Sequence, residues 1–255
     1  MGRGPEKPTH TLSSVQRSFD ILEELVHMNG AGVTDLAERL DMNKSTLHAH
    51  LRTLESCGYV VNENGNYRGS LKSLHLGAVV RGNIPIFGDS FDYVSELARS
   101  TGELANLGVK ERGTVVVIAM VEGPDAVFGK IGIQMDFHAS AMGKAMLANF
   151  PEDEMMALID KPLEAQTEHT ITDRDTLIKE LETIRSQDYA IEREEWTPGI
   201  WSIAAPILDI DDYPVAAVSV AGPAKKFRHD AHRDELIRQL LNIANTIEVK
   251  LQNPR

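Results

Sequence analysis

The hydrophobic residues between positions 34 and 54 follow the spacing of two short amphipathic helices joined by a polar turn at 41–43. In the second helix, Leu47, Leu51 and Leu54 stand at i, i+4 and i+7 and therefore share one face. The opposite face has small or polar residues: Ser45, His48, Ala49 and Arg52. Such a helix packs on a small core with one face and offers hydrogen-bond donors with the other, as a helix in a DNA major groove must.

A β-hairpin is predicted after this pair of helices. Apolar residues at 59–61 and Tyr67 flank a polar segment, in which Asn64-Gly65 favours the left-handed backbone angles of a tight turn. A further helix is predicted before the pair, with Ser14 as its N-cap. The order of these elements is that of a winged helix-turn-helix.

Four regions are predicted along the chain. They are a disordered arm at 1–10, a winged helix-turn-helix DNA-binding domain at 11–72 with its helix-turn-helix at about 33–54, a linker helix at 73–88, and a second domain at 89–255. The second domain combines apolar strands with helices. Two pairs of strands joined by short turns, 104–109 with 114–121 and 200–208 with 214–221, indicate an antiparallel sheet core. The expected fold class is α+β.

Composition and charge limit the location and the mode of DNA binding. Cys57 is the only cysteine, no apolar run approaches the length of a membrane span, and no signal peptide is visible, which together point to the cytoplasm. The net charge is −12, but residues 1–80 have 8 Lys and Arg against 9 Asp and Glu. Because the DNA-binding region is almost neutral, binding must depend on a few placed contacts and on more than one copy of the domain.

The whole chain resembles the IclR family of transcriptional regulators. Five groups of residues carry the resemblance, in the order and at the spacing of the family: Ser14-Val15-Gln16-Arg17; Lys44-Ser45-Thr46 with Thr53-Leu54-Glu55 and Gly58-Tyr59; His138-Ala139-Ser140-Ala141-Met142-Gly143-Lys144-Ala145; Glu194-Glu195 with Gly199; and Ala204-Ala205-Pro206 with Ser219 and Gly222-Pro223. The resemblance implies an N-terminal winged helix, a linker helix and a C-terminal GAF-like α/β effector-binding domain. It also implies a homo-dimer or tetramer that binds double-stranded operator DNA under the control of a small molecule, often an organic acid. No cofactor is expected.

Two positions depart from the family pattern. Ala49 stands on the DNA-facing side of the recognition helix where the family usually has arginine, and His50 stands where it usually has leucine. Because the arginine is a strong charged contact, its loss indicates an atypical operator. The histidine is expected to pack or to hydrogen-bond inside the domain rather than to contact DNA.

The candidate DNA-binding residues come from the two helices, the first helix and the wing: Arg17, Thr34, Lys44, Ser45, Thr46, His48, Arg52 and Arg68. For Thr34, an N-cap is the favoured alternative to a DNA contact. For Arg17 the alternative is an ion pair within the domain, and for Arg68 it is a solvated charge.

Transferred residue by residue, the family resemblance implies an effector pocket formed by Gln134, Ala141, Met142, Glu192, Ile200, Ser202, Ser219 and Ala221. The alternative for its small and apolar residues is simple core packing. Alternation along the strands supports a shared face for Ile200 with Ser202 and for Ser219 with Ala221. Glu192 would repel a carboxylate unless it were protonated. The effector is therefore an organic acid, a hydroxy acid that donates a hydroxyl proton to Glu192, or a molecule that is not an acid.

The sequence argues against two other classes of function. Asp136, His138 and Ser140 have the composition of a hydrolase triad, but they alternate within five residues and their side chains are not expected to converge. A metal-responsive sensor would need more ligands than His229 and His232 with their neighbouring aspartates. We expect neither an enzyme nor a metal site.

The acidic excess also resembles that of family members from salt-loving archaea. Acidic residues outnumber basic ones 38 to 26, and nearly all of the excess lies after residue 80. The alternative is an ordinary, mildly acidic protein with a pI of about 5.2. A halophilic protein is the expectation, because an acidic surface remains soluble in molar salt.

Overall fold

The computed structural model describes residues 11–124 and 129–253. The arm predicted over 1–10 lies outside these residues. Contacts divide the chain into two compact units, one that ends at Arg81 and one that begins at Gly82.

The N-terminal unit is a winged helix-turn-helix. Its elements are α1 (Ser13–His27), β1 (Ala31–Gly32), α2 (Val33–Arg39), α3 (Lys44–Ser56), β2 (Val60–Glu63), β3 (Asn66–Gly69) and α4 (Lys72–Gly82). Ile21 and Leu25 of α1 pack in one small core with the three leucines of α3, all of them buried. The predicted helical face is therefore confirmed.

The wing has the predicted two-residue turn. Glu63 pairs with Asn66, and both residues between them have positive φ, 55° at Asn64 and 89° at Gly65. These angles match the right-handed twist of the flanking strands. The three strands form one antiparallel sheet in the order β1-β3-β2.

Two predicted helix caps are wrong. Leu12 is the N-cap of α1 and Gly32 is that of α2, and neither cap has a side-chain hydrogen bond. Ser14 and Thr34 both lie inside the helices that they were expected to begin.

The linker helix is shorter than the predicted span of 73–88. α4 ends at Gly82, and residues from 85 onward belong to α5 (Pro85–Thr101). Proline is favoured in the first turn of a helix, where its missing N–H has no intrahelical partner. Pro85 therefore begins a new helix rather than ending the linker.

In the described part of the C-terminal unit, eleven further elements follow α5. They are β4 (Leu104–Glu111), β5 (Thr114–Val121), β6 (Gln134–Met135), α6 (Ala141–Leu147), α7 (Glu152–Ile159), α8 (Arg174–Gln187), β7 (Ala190–Arg193), β8 (Ile200–Leu208), β9 (Pro214–Pro223), α9 (Ala224–Phe227) and α10 (Asp230–Gln252). The strands form one antiparallel sheet in the order β6-β5-β4-β9-β8-β7. Both predicted strand pairs are present.

Helices cover both faces of this sheet. On one face, α5 and α10 pack against strand residues such as Leu107, Ile203 and Val218. On the other face, α6, α7 and α8 pack against alternate strand residues such as Val117 and Ala204. The α+β class is confirmed, and the second face also has the cavity described below. Within the described part of the chain, no helix has the length and apolar character needed to span a membrane.

Candidate DNA interface and effector cavity

The recognition helix α3 presents a continuous polar surface. Asn43 caps it, because its side-chain Oδ1 accepts a hydrogen bond of 2.9 Å from the backbone N–H of Ser45 and one of 2.8 Å from the Ser45 hydroxyl. Thr46, His48 and Arg52 are all exposed on the side away from the buried leucines. The helix therefore offers hydroxyl, imidazole and guanidinium donors on one solvent-facing surface.

Lys44 and Thr34 form a pair that joins the two helices of the motif. Lys44 Nζ donates to Thr34 Oγ1 at 3.0 Å, and both residues are exposed. The hydroxyl of Thr34 thus orients a cationic group at the start of α3 instead of capping α2.

Arg17 and Thr46 line the same shallow cleft between α1 and the start of α3. Arg17 is exposed and makes no ion pair with any other residue that the structure describes, so the predicted alternative of an intradomain salt bridge is not found. Arg17 thus extends the donor surface of α3 onto the first helix.

His50 makes the hydrogen bond expected of it. Its Nδ1 lies 2.8 Å from Ser18 Oγ, and that hydroxyl also donates to the carbonyl of Ser14 at 3.0 Å. The Ser18 hydroxyl therefore lies between the His50 ring and the backbone of α1. The hydrogen bond between His50 and Ser18 therefore joins α3 to α1.

The arginine of the wing is held by a local ion pair. Arg68 donates to Glu63 Oε1 through both Nε, at 3.1 Å, and Nη2, at 2.6 Å. The two side chains are about half exposed, so the pair contributes little to stability. A phosphate approaching Arg68 would compete with Glu63 for the guanidinium.

A cavity of about 440 Å³ opens on the sheet face that α6 covers. Its wall is mainly apolar, with residues from β4, β5, β8 and β9. Seven of the eight predicted effector-binding residues line it: Ala141, Met142, Glu192, Ile200, Ser202, Ser219 and Ala221.

Gln134 is the exception, and the prediction that it lines the effector pocket is wrong. It lies on β6 but does not line the cavity, whereas Ile133 and Met135 on either side of it do. Successive side chains of a strand point to opposite faces, so a cavity that receives positions 133 and 135 cannot also receive 134. Gln134 is accordingly exposed.

Asn106 and Ser140 are cavity residues that sequence reasoning missed. Asn106 lies on β4, where its paired residue is Ser219 on β9. The sequence did contain a signal for Asn106, because it is an amide residue inside an apolar strand, two residues after Leu104. Burying an amide is unfavourable unless it is hydrogen-bonded, so such a residue is a candidate for a specific contact. Ser140 caps α6 by accepting from the N–H of Gly143 at 3.1 Å.

Glu192 is the acidic group of the cavity, and three donors hold its carboxylate. Oε1 accepts from the backbone N–H groups of Glu195 and Trp196, and Oε2 accepts from the Ser202 hydroxyl at 2.9 Å. Burial raises the pKa of Glu192 to about 7, although the hydrogen bonds from Trp196 and Ser202 act in the opposite direction. A group with this pKa changes charge near neutral pH, so it accommodates either an anionic or a neutral neighbour.

Asp136, His138 and Ser140 do not form a hydrogen-bonded relay. His138 Nε2 contacts the carbonyl of Glu164 at 2.9 Å, and Ser140 Oγ donates to the carbonyl of Asp136 at 2.9 Å. The carboxylate of Asp136 accepts from Gln166. Within the described residues no cluster of His, Cys, Asp and Glu is arranged to hold a metal ion.

Two family models match the chain, one for each unit. Residues 14–63 match the IclR helix-turn-helix domain, and residues 79–249 match the bacterial transcriptional regulator IclR C-terminal domain.

The chain is similar to individual regulators and solved structures over almost its whole length. It is 29% identical to the HTH-type transcriptional regulator KdgR of Escherichia coli, with 96% of this chain and 95% of KdgR covered. A crystal structure of the Thermotoga maritima IclR matches with a TM-score of 0.81 at 30% identity, covering 94% of this chain and 99% of that one. An IclR homolog of Microbacterium hydrocarbonoxydans complexed with 4-hydroxybenzoate shares the fold with a TM-score of 0.78 at 20% identity, covering 93% and 98%.

The matched models cover both units, and the relatives are regulators rather than enzymes. The exposed donors of α3 and the cavity beside α6 are the two features that such a regulator requires. The chain therefore belongs to the IclR family of transcriptional regulators, DNA-binding proteins that are controlled by small-molecule effectors.

Proposed function

We propose that this regulator binds its operator as a homo-oligomer through α3, and that an organic acid bound in the cavity beside α6 controls that binding. The observation that carries the proposal is the division of α3 between three buried leucines and a solvent-facing row of donors. Because the partner is DNA, the cytoplasm is the proposed location.

The proposed DNA contacts fall into two groups. Thr46 at the start of α3 and the Lys44 side chain would contact phosphate oxygens, since backbone N–H groups and hydroxyls at a helix start suit anions. Ser45 would join them if a phosphate replaced Asn43 Oδ1 as the acceptor of its two hydrogen bonds. His48 and Arg52, further along the helix, are placed for base edges or for the backbone. Arg17, Thr34 and Arg68 support the same surface from α1, α2 and the wing.

The exposed apolar residues of the N-terminal unit support a homo-oligomer. α4 buries none of its residues, and Leu74 and Val80 are 70% and 64% exposed. Phe19 of α1 is 59% exposed. Apolar surface of this extent is unfavourable in water and is typical of an interface. A second copy of the chain would cover it and would supply the second DNA-binding domain that a nearly neutral unit needs.

An organic acid is compatible with the cavity because Glu192 takes up a proton near neutral pH. When Glu192 is protonated, it becomes a hydrogen-bond donor and no longer repels a carboxylate. Ser219 adds a hydroxyl donor from β9, whereas the Ser202 hydroxyl donates to Glu192. The apolar wall formed by Met142, Val117 and Ile200 suits the carbon skeleton of such an acid.

The proposal is tested in two steps. Genomic DNA fragments retained by the purified protein identify the operator, and fluorescence anisotropy then measures its affinity. A panel of small organic acids is screened for a rise in melting temperature, because a ligand that binds only the folded state stabilises it. An acid that both raises the melting temperature and changes operator affinity supports the proposal. A chain that retains no specific DNA fragment, or that responds to no small molecule, contradicts it.

A further inference from the structure

Asn106 and Ser219 form a polar pair on the wall of the cavity. They are directly paired across β4 and β9, and Asn106 Nδ2 donates to Ser219 Oγ at 3.3 Å. Asn106 is only 6% exposed and Ser219 only 2% exposed, although both line the cavity. Both residues therefore belong to the cavity wall and are almost completely shielded from bulk water.

One atom of this pair has no hydrogen-bond partner. Among the described residues, none donates to Asn106 Oδ1, which is buried. A buried amide oxygen without a donor is unfavourable and uncommon in folded proteins. Ser219 accepts from Asn106, so its own hydrogen remains available to a further acceptor. The pair thus presents one acceptor and one donor side by side.

A hydroxyl group is the complement of this arrangement. It donates its hydrogen to Asn106 Oδ1 and accepts the hydrogen of Ser219 through a lone pair. A carboxylate only accepts, so at the same place it would set its lone pairs against the amide oxygen. We infer that Asn106 binds the effector and that, with Ser219, it selects a molecule with a hydroxyl group at this end of the cavity. The inference rests on the proposed function, because it assumes that the cavity binds the effector.

Ser202 and Glu192 form a second polar pair, and its distance from Ser219 indicates the length of the effector. Ser202, hydrogen-bonded to Glu192, lies beside Ala221 in the β8–β9 register, and Ala221 stands two residues from Ser219 on the same strand face. Two residues along a strand span about 7 Å. The effector is therefore expected to have two polar groups roughly that far apart along the strands, one of them a hydroxyl, with apolar carbon between them. A hydroxylated acid has this pattern.

The inference is tested with matched pairs of acids that differ by one hydroxyl: glycolate with acetate, 3-hydroxybutyrate with butyrate, and 4-hydroxybenzoate with benzoate. For each pair, dissociation constants are measured by calorimetry on the full-length protein, and release of the operator is followed by anisotropy. We expect at least one hydroxylated acid to bind about tenfold or more tightly than its plain partner, because the plain acid leaves buried polar groups unpaired.

Variants of Asn106 and Ser219, with one control, test whether these two residues cause the preference for a hydroxylated acid. Asn106→Leu replaces the amide by an apolar group of similar size, and it should reduce the preference to less than about threefold, since no unpaired oxygen remains to penalise the plain acid. Asn149→Leu makes the same change outside the cavity, at an asparagine that donates to the Ala145 carbonyl, and it should leave the preference unchanged. Ser219→Ala removes only the donor and checks the result if Asn106→Leu does not fold.

The outcomes separate the inference from the proposed function. If acids bind and release the operator but no hydroxylated acid binds more tightly than its plain partner, the inference is overturned and the proposed function remains in place. Equal binding is expected if the Asn106 amide is turned so that its N–H groups, and not Oδ1, face the cavity. A preference that survives both Asn106→Leu and Ser219→Ala also overturns the inference. If no acid or alcohol tested changes melting temperature or operator affinity, the proposed effector control fails and the inference fails with it.

Discussion

Lys144 Nζ lies 2.8 Å from Glu195 Oε1, and neither side chain is appreciably exposed to solvent. The ammonium group also donates to the carbonyl of Ile191 at 2.9 Å. Lys144 lies on α6 beside the cavity residues of that helix, and Glu195 follows β7, which has Glu192. This ion pair therefore joins α6 to the segment after β7, and both of these parts of the chain contribute residues to the cavity wall.

Lys144→Met should destabilise the C-terminal unit severely. The substitution removes the cation and leaves the Glu195 carboxylate buried without its partner, a loss that typically costs about 3–5 kcal/mol. The midpoint of urea unfolding, followed by circular dichroism, should fall accordingly.

Glu180→Gln is the matched control for this prediction. Glu180 also contacts Lys144 Nζ, but at 3.4 Å and with 29% of its side chain exposed. Because a partly solvated and longer contact contributes little, this variant should unfold close to the wild type. If Lys144→Met and Glu180→Gln unfold at the same urea concentration, the buried pair does not have the role assigned to it.

The stability of the C-terminal unit should decrease as pH rises towards neutrality because of Glu192. Burial raises the pKa of Glu192 in the folded state to about 7, from its ordinary value of 4.5. Between these two values the folded protein holds a proton that the unfolded chain has released, so raising the pH favours unfolding, by at most about 1.4 kcal/mol per pH unit. Above about pH 7 both states are ionised and the contribution is constant.

The measurement compares the wild type with Glu192→Gln, which keeps an oxygen for the two backbone donors and cannot ionise. Other titrating groups are common to both proteins and cancel in the difference. The stability of the variant relative to the wild type should rise up to about pH 7 and then level off. A difference that does not vary across this range would show that Glu192 titrates at its ordinary pKa.

Arg52→Ala and the pair Ser45→Ala/Thr46→Ala should weaken operator binding without unfolding the N-terminal unit. These side chains lie opposite the buried leucines, so their removal leaves the core intact. Loss of a base contact should weaken binding by about 1–3 kcal/mol and relax the sequence preference at one base pair of the operator. Loss of a phosphate contact should weaken binding to all sequences alike and reduce the slope of log affinity against log salt concentration by about one.

Anisotropy titrations at several salt concentrations make this distinction. Arg238→Ala, on α10 of the effector-binding domain, is an exposed arginine of the same size and should leave operator affinity unchanged. Unchanged binding by both α3 variants would mean that a different face of α3 meets the DNA.

Most of the fold was predictable because hydrophobic periodicity records which face of an element is buried. β8 has the predicted limits, and the three leucines of α3 are buried as the periodicity required. The short strands β6 and β7 were missed. A strand of two or four residues is too short to show an alternation.

The predicted effector pocket came from the family resemblance, and strand alternation supported only part of it. Ser202 and Ser219 lie on the long strands β8 and β9, where alternation agrees with their place on the cavity wall. Gln134 had no such support, because β6 has only two residues and a shift of one residue turns a side chain to the other face. For Asn106 the local pattern showed an amide in an apolar strand, but it could not show the partner, which is 113 residues away in the chain.

Ser202→Leu should abolish the response to the effector while leaving operator binding intact. The larger side chain would fill part of the cavity and remove the hydroxyl that donates to Glu192. Ser219→Leu should act in the same way from the neighbouring strand. Anisotropy with and without a bound acid measures the response.

Ser186→Leu is the control for both variants, because Ser186 is exposed on α8 outside the cavity. It should respond as the wild type does. Variants at 202 and 219 that still respond at normal effector concentrations would place the effector elsewhere.

The acidic surface should make the protein more stable in molar salt. The acidic excess lies in the C-terminal unit, where the nearby carboxylates of Asp188 and Asp212 add to burial in raising the pKa of Glu248. Like charges repel each other at low ionic strength, and molar salt shortens the screening length to about 3 Å. The melting temperature should therefore rise steeply from low to molar KCl. Asp211→Asn/Asp212→Asn removes two of the exposed charges and should reduce this rise.

Operator affinity responds to salt in the opposite direction, since high salt weakens every phosphate contact by counterion release. A regulator that works in molar salt must therefore obtain most of its specificity from base contacts and from the joint binding of several copies. We expect affinity to fall less steeply with KCl than it does for a binder dominated by phosphate contacts. A melting temperature that stays level or falls between low and molar KCl would rule out the halophilic interpretation, and the acidic surface would then need another explanation.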